Sequence, residues 1–175
     1  MCKNLKADFD RYRAHSIKEK IYVFFEQGFW AVAVYRLGRW TTSIKIPILG
    51  FVLRFIAFLL FKSIEMTTGI SIPASAKIGK GFYVGHFGSI ILHSEVVMGE
   101  HCSIGPGVLI GTRGVGNKGV AVIGNNVYIG VGAKILGKIT IGNNVKIGAN
   151  AVVVSNIPDG ATAVGIPAKI VSRTP

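Results

Sequence analysis

Residues 127–153 read VYIGVGAKILGKITIGNNVKIGANAVV, and through this stretch an apolar branched residue recurs at every sixth position. The series that contains it is Ile123, Ile129, Ile135, Ile141, Ile147 and Val153. A period of six matches neither an α-helix, which repeats about every 3.6 residues, nor a flat strand, which repeats about every two. It is typical of a chain that turns through one flat side every six residues and points its apolar residue into a prism.

The same period extends toward the N-terminus in two further series, each displaced from the next. Their members are Ile72, Ile78, Val84 and Ile90, and then Leu92, Met98, Ile104 and Ile110. Each coil of such a prism buries its core only against neighbouring coils, so the array must be long. Corners that require a positive φ need glycine or asparagine, which GNN supplies at 124–126 and 142–144. We therefore predict a left-handed parallel β-helix over residues 68–175, with an extruded loop at about 112–122.

Residues 1–67 predict an α-helical segment instead. Long apolar residues recur there at helical spacing, and TTSIKIP (41–47) supplies cap and stop signals, which predicts two or three helices. The apolar run 47–61 is shorter than the roughly 20 residues of a membrane span. We expect it to be buried in the core or in an oligomer. The alternative is a helix that lies on a membrane surface. The basic residues that would then face lipid headgroups are Lys45, Arg54 and Lys62.

Composition restricts the function further. The chain has 175 residues and a net charge of +12, but its basic residues are spread out, without the aromatic platform of RNA-binding proteins, so nucleic acid is not an expected partner. The acidic residues beyond Glu65 are Glu95, Glu100 and Asp159, which argues against paired catalytic carboxylates in the β-helix. Two cysteines and a polar N-terminus without a signal peptide predict a cytoplasmic protein.

The repeat region resembles the hexapeptide-repeat acyltransferases, and within them the serine acetyltransferase-like branch. The motifs that carry the resemblance are IPASAKIGKGFYVGHFGSIIL (72–92), SIGPGVLIGTRG (103–114), VYIGVGAKILGKITIGNNVKIGANAVV (127–153) and AVGIPAKIV (163–171). The resemblance implies transfer of an acetyl group from acetyl-CoA without a metal ion. It also implies a homotrimer with active sites between neighbouring prisms.

The resemblance assigns the catalytic role to His86. In the family, the general-base histidine belongs to an Asp-His pair that follows a KIG-x-G segment, and the corresponding pair here is Gly85-His86. The family's orienting aspartate falls on Ser71. Its second active-site histidine, in the extruded loop, falls near Val120 or Ala121. His86 is therefore the polar element of that active site that this chain retains.

A neutral histidine near pH 7 suits a hydroxyl that attacks a thioester. The GHFG form at 85–88 resembles acetyltransferases of capsule, exopolysaccharide or lipopolysaccharide synthesis, which implies a sugar or glycan acceptor. The alternatives are a serine O-acetyltransferase of cysteine biosynthesis and, from another class, a non-catalytic β-helix used in assembly. Peripheral contact with the inner face of the membrane is a further expectation, because a lipid-linked glycan would be reached there.

The other histidines predict no metal site. His93 and His101 are expected at the surface, and their spacing from His86 does not match a three-histidine zinc site. For acetyl-CoA, the resemblance implies that Gly111 and Thr112 line the thioester end. Candidate contacts farther along the cofactor are Val131 and Ala149 for the pantetheine arm, and Arg113, Lys118, Lys134 and Lys169 for the phosphates.

Overall fold

The computed structural model describes residues 2–12, 21–114, 116 and 118–173. The helices are α1 (Cys2–Asp10), α2 (Gln27–Thr41) and α3 (Pro47–Thr68). The predicted break at TTSIKIP is confirmed, because α2 ends at Thr41 and α3 begins with Pro47, whose fixed φ suits the first helical turn. Gly69 ends α3 in the left-handed conformation at φ 70°, and its N–H bonds the Glu65 carbonyl.

Fifteen short strands follow in the described residues, and they form three sheets. Sheet A contains β1 (Ile70–Ser71), β4 (Ile90–Leu92), β7 (Leu109–Gly111), β10 (Lys134–Leu136) and β13 (Val152–Val153). Sheet B contains β2 (Lys77–Ile78), β5 (Val97–Met98), β8 (Val122–Ile123) and β11 (Thr140–Ile141). Sheet C contains β3 (Tyr83–Val84), β6 (Ser103–Ile104), β9 (Tyr128–Ile129), β12 (Lys146–Ile147), β14 (Ala161–Val164) and β15 (Lys169–Arg173).

Strands that are hydrogen-bonded neighbours come from successive coils, so the chain forms a parallel β-helix. In sheet A the order is β1-β4-β7-β10-β13, and the pairs are parallel, whereas the terminal pair β14–β15 in sheet C is antiparallel. Lys134 pairs with Val152, 18 residues later, which is three sides of six residues. Leu109 pairs with Lys134, 25 residues later, because a loop separates β7 from β8. Two positions of the expected loop, 115 and 117, lie outside the described residues.

The repeated apolar residues of all three series fill the prism, as their period predicts. Ile129, Ile135 and Ile147 are each fully buried. The predicted corner conformations are also confirmed, since Asn126 and Asn144 have φ values of 56° and 57°. The six-residue period therefore places both the core and the corners.

A buried ion pair fastens the helices to the first coil. The Asp8 carboxylate accepts from Arg36 Nε at 2.8 Å and from the Phe82 N–H at 2.8 Å. Arg36 also donates to the carbonyls of Ile78 at 2.7 Å and Gly79 at 2.6 Å. Neither charged side chain reaches solvent appreciably, so each depends on the other and on these backbone groups.

Helix α3 departs from the sequence-based expectation in length and in burial. It continues to Thr68, so it has 22 residues, and with a mean hydropathy of 1.9 it is, among the described residues, the one helix long and apolar enough to cross a membrane. We expected 47–61 to be buried in the core or in an oligomer. Burial in the core of this chain is wrong, and burial in an oligomer stays a prediction. Only 11% of its most apolar window is buried, because α3 contacts α2 and the prism along a narrow strip.

Candidate active site

His86 lies at the corner where the chain passes from sheet C to sheet A. Ser71 pairs with Ile91, 20 residues later, so this coil is two residues longer than a coil of three six-residue sides. The extra residues enlarge the corner, and Gly88 and Ser89 adopt positive φ values of 107° and 46° to accommodate the turn. The side chain of His86 is exposed, and it forms no hydrogen bond or ion pair within the described part of the chain. Its imidazole is thus accessible from solvent.

The corner is held against the C-terminal end of α3. The Gly88 N–H donates to the Thr68 carbonyl at 2.9 Å, and the Ile90 N–H donates to the Gly69 carbonyl at 3.0 Å. A Cβ atom on Gly69 would lie 2.9 Å from the Ser89 nitrogen, so the close approach requires glycine there. The backbone of the His86 corner is therefore fixed on one side by the helix, although the His86 side chain is free.

The position of the family's orienting aspartate is occupied differently. Ser71 stands there, and its hydroxyl lies near the Glu65 carboxylate at the last turn of α3. The pKa of Glu65 lies below its usual range, first because Lys62 donates to it and then because the Ser71 hydroxyl is near. A carboxylate is thus present beside Ser71, but it is supplied by α3.

The expected site of the family's loop histidine is apolar and inaccessible. Val120 is 7% exposed and Ala121 is fully buried, so both belong to the core. The family's loop histidine would fall near these positions, whose side chains here pack in the core. Any second polar group in this chain's reaction must come from elsewhere.

The candidate cofactor residues lie along both edges of sheet A. Val131 and Ala149 share the corner stack of His86, since the Asn150 N–H donates to the Val131 carbonyl at 2.7 Å, one coil apart. Gly111 ends β7 at the opposite edge, and the Gly137 N–H donates to its carbonyl at 2.9 Å. Thr112 follows at that edge. One chain therefore does not bring the two groups of residues together.

The basic residues that are candidates for the CoA phosphates also lie in different places. A groove of about 270 Å³ at the second edge is lined by Arg113, Lys118, Leu136, Gly137, Lys138, Ile139 and Val154. Lys138 was not a candidate, because no motif in the sequence distinguishes it from the other lysines. In the structure it lines the same groove as Arg113. Lys134 is directed away, with its ammonium on the Gly107 carbonyl. Lys169 begins β15, at the far end of the prism from His86.

A polar groove on sheet C was also missed. It is lined by Asp10, Arg11, Tyr12, Tyr83, Ser103 and Tyr128, and it has a volume of about 570 Å³. A signal existed, because Tyr83, Ser103 and Tyr128 each precede an inward residue and so point outward on one sheet. The part contributed by α1 could not be foreseen. The described residues contain no group of three or more His, Cys, Asp or Glu placed to bind a metal ion.

Comparison with known proteins decides the family. The bacterial transferase hexapeptide (six repeats) profile matches residues 121–155. A serine acetyltransferase of Helicobacter pylori is 41% identical over 120 residues, which cover 68% of this chain and 70% of that protein. The chain belongs to the hexapeptide-repeat acyltransferases, in their serine acetyltransferase-like branch. The predicted family and enzyme class are therefore confirmed.

Other members of the family add detail. A serine acetyltransferase of Synechococcus elongatus is 34% identical over 84% of this chain, but the match spans only 58% of that protein. The colanic acid biosynthesis acetyltransferase WcaB of Escherichia coli is 42% identical over 61% of this chain and 65% of its own length. The serine acetyltransferase of Brucella abortus in complex with coenzyme A superposes with a TM-score of 0.82 at 26% identity, over 99% of this chain and 68% of that one.

Proposed function

We propose that this protein is an acetyl-CoA-dependent O-acetyltransferase that acetylates a sugar hydroxyl during synthesis of a surface polysaccharide. The observation that carries the proposal is the exposed, unengaged imidazole of His86 at an enlarged corner, in the position of the family's general base. The Brucella enzyme in complex with coenzyme A supports the choice of cofactor, and the relationship to WcaB supports the choice of pathway.

In the proposed reaction, neutral His86 accepts the proton of the acceptor hydroxyl as its oxygen attacks the thioester carbonyl. Backbone N–H groups at a glycine-rich corner meet the charge on the tetrahedral oxyanion. The carbon–sulfur bond then breaks, and the CoA thiolate recovers the proton from the imidazolium. The products are an acetyl ester and free CoA, and no metal ion takes part in the steps.

A sugar is preferred over serine because the family's own aspartates and loop histidine are replaced here, although the Glu65 carboxylate lies beside Ser71. Gly85, Ser71, Val120 and Ala121 offer no charge with which to hold an amino acid at its ammonium or carboxylate. Serine remains the second candidate, because serine acetyltransferases of two genera are 34–41% identical to this chain. Thiol release from acetyl-CoA, with serine and then with nucleotide-linked or lipid-linked sugars, separates the two candidates.

We infer a homotrimer of left-handed prisms with shared active sites. The His86 corner and the edge with Gly111, Thr112 and Arg113 lie on opposite sides of sheet A, so a neighbouring prism is needed to bring a second edge to His86. In that arrangement Arg113 and Lys118 would hold the CoA phosphates. Mass measurement in solution is expected to give three chains or a multiple, and a fully active monomer would contradict shared sites.

The central test is His86→Ala. We expect kcat to fall at least about 100-fold, the scale of a lost general base, while CoA affinity measured by calorimetry stays unchanged. His101→Ala, at the corner between sheets B and C, is the control and should retain turnover. Near-normal turnover of His86→Ala would refute the role of His86. Failure of the wild-type protein to bind CoA at all would instead favour the non-catalytic assembly module.

We also propose that α3 lies on the anionic inner face of the cytoplasmic membrane. Its outward side is apolar over most of its circumference, at Ile48, Leu49, Phe51, Val52, Phe55, Ile56, Phe58, Leu59 and Leu60, each at least 41% exposed. Residues 37–61 contain three basic residues, Arg39, Lys45 and Arg54, and no acidic residue, so the surface matches anionic lipid and would repel a second copy of itself. Exposed Trp30 and Trp40 suit the headgroup level.

The attachment of α3 to the prism favours a helix in the plane of the surface. Ala57, Phe58 and Phe61 line one groove together with Ile72 and Ala74, so a helix that crossed the bilayer would draw the prism into lipid. Because Thr68 is bonded to the His86 corner, a surface-lying α3 would bring this corner close to a lipid-linked acceptor.

Vesicle sedimentation tests the membrane proposal. We expect binding to phosphatidylglycerol-containing vesicles that falls with salt. It should fall roughly 30-fold in Arg54→Glu, since the charge reversal removes one attraction of about 1 kcal/mol and adds a similar repulsion. Phe51→Ser with Phe55→Ser should abolish binding, whereas Val97→Ser with Val122→Ser on sheet B should not. No binding at low salt, with a mass that rises with protein concentration, would mean that a second copy covers α3.

A further inference from the structure

The outer side of sheet C presents a row of polar and aromatic side chains beside the His86 corner. Tyr83 pairs with Ser103, and Ser103 pairs with Tyr128, so the three side chains point outward in neighbouring coils. Tyr83 is three residues from His86, which is at most about 11 Å along the chain. The row forms the floor of the 570 Å³ groove, a volume in the range of small-molecule sites.

The end of α1 and the two residues after it form the wall of the groove, and contacts to sheet C hold them. Arg11 Nη2 donates to the Ser103 hydroxyl at 2.7 Å, and the Tyr12 hydroxyl donates to the Val84 carbonyl at 3.2 Å. The rings of Tyr12 and Tyr83 are 4.7 Å apart. These contacts fix the groove in shape before any ligand arrives, which lowers the entropic cost of binding.

Tyr128 takes no part in these contacts. Its side chain is 52% exposed, and it makes no hydrogen bond or ring contact with the described residues. An exposed aromatic face next to Arg11, Asp10 and Ser103 combines an apolar platform with several hydrogen-bonding groups.

We propose that this groove binds an oligosaccharide, namely the sugars of the acceptor glycan that neighbour the acetylated one. The C–H face of a pyranose ring is apolar and packs on an aromatic ring, while its hydroxyls need both donors and acceptors around its edge. Tyr128 supplies the ring, Arg11 donates, Asp10 accepts, and Ser103 can do either. That the bound glycan is the acceptor of the reaction rests on the proposed function, whereas glycan binding itself does not.

Direct binding tests the groove without using activity. The full chain is applied to an array of bacterial oligosaccharides of increasing length, and dissociation constants are measured by calorimetry for those that bind. We expect at least one oligosaccharide to bind and Tyr128→Ala to weaken it tenfold or more. Tyr128→Phe, which keeps the ring, should remain within about threefold of the wild type. Val122→Ala, the outward residue of the same coil on sheet B, should bind normally.

The outcomes separate the groove from the reaction. Absence of binding to every oligosaccharide, or equal binding by Tyr128→Ala and Val122→Ala, overturns the glycan groove, even if acetyl transfer to a sugar is observed. Ring-dependent binding without release of CoA thiol supports the groove and counts against the proposed function. In an active enzyme, Tyr128→Ala should raise KM for a long acceptor at unchanged KM for acetyl-CoA, which a merely structural role would not produce.

Discussion

The helical segment and the β-helix are stabilised in opposite ways. In the β-helix one contact is repeated, because isoleucine or valine packs in each coil on its counterpart in the next, and Ile135 between Ile110 and Val153 is one example. In the helical segment the main contact occurs once, at the buried pair of Asp8 and Arg36. Repetition distributes stability over many similar residues, whereas a single buried pair concentrates it in two.

Because the stability of the helical segment is concentrated in one pair, we expect the largest loss of stability on substitution of Asp8. Asp8→Ala leaves the Arg36 guanidinium buried without its counter-charge, so we expect the free energy of unfolding to fall by about 3–5 kcal/mol. Chemical denaturation measures the loss. Asp10→Ala removes an exposed carboxylate two residues away and should change stability little. Equal losses in the two variants would show that the buried pair is not what holds the helices.

An intermediate effect is expected at a corner of the β-helix. Asn144 adopts φ 57°, so Asn144→Val should cost about 1–2 kcal/mol, because a β-branched residue is strained in this conformation. Asn144→Gly is the control. Asn144→Gly also loses the hydrogen bond that the Asn126 side-chain amide donates to Asn144 Oδ1, at 3.1 Å, but glycine tolerates the φ value. If both variants lost equal stability in thermal unfolding, the hydrogen bond between the Asn126 and Asn144 side chains, and not the corner conformation, would account for the loss.

The smallest effect concerns acid pH. The backbone N–H and side chain of Asn143 donate to Asp159 and hold the pKa of its carboxyl below the usual range. A lowered folded pKa stabilises the protein above the pKa of the unfolded chain, and this stability is lost as the pH falls through the folded value. Tm measured from about pH 6 to 3 should therefore fall slightly less in Asp159→Asn, which has no proton to gain. An identical decline in both proteins would remove Asp159 from the acid response.

The helical segment shows where reasoning from sequence stops. Its helices and the break at 41–47 followed from local signals, because caps and proline act over a few residues. The pairing of Asp8 with Arg36 did not follow, since nothing in either neighbourhood identifies a partner 28 residues away. The exposure of α3 was missed for the same reason, since an apolar run does not reveal whether its own chain has a surface to cover it.

The candidate site divides along the same line. His86 was identifiable from the sequence because it stands in a motif of consecutive residues, and the corner Asn126 because its φ depends on its own backbone. The separation of His86 from Gly111 across sheet A depended on the tertiary structure, and so did the groove between Arg11 and Tyr128. The six-residue period and the turn residues are local, so the sequence alone determined the coil and its core. Which side chains meet across coils depends on how many residues each corner and loop inserts, and only the folded chain decides that.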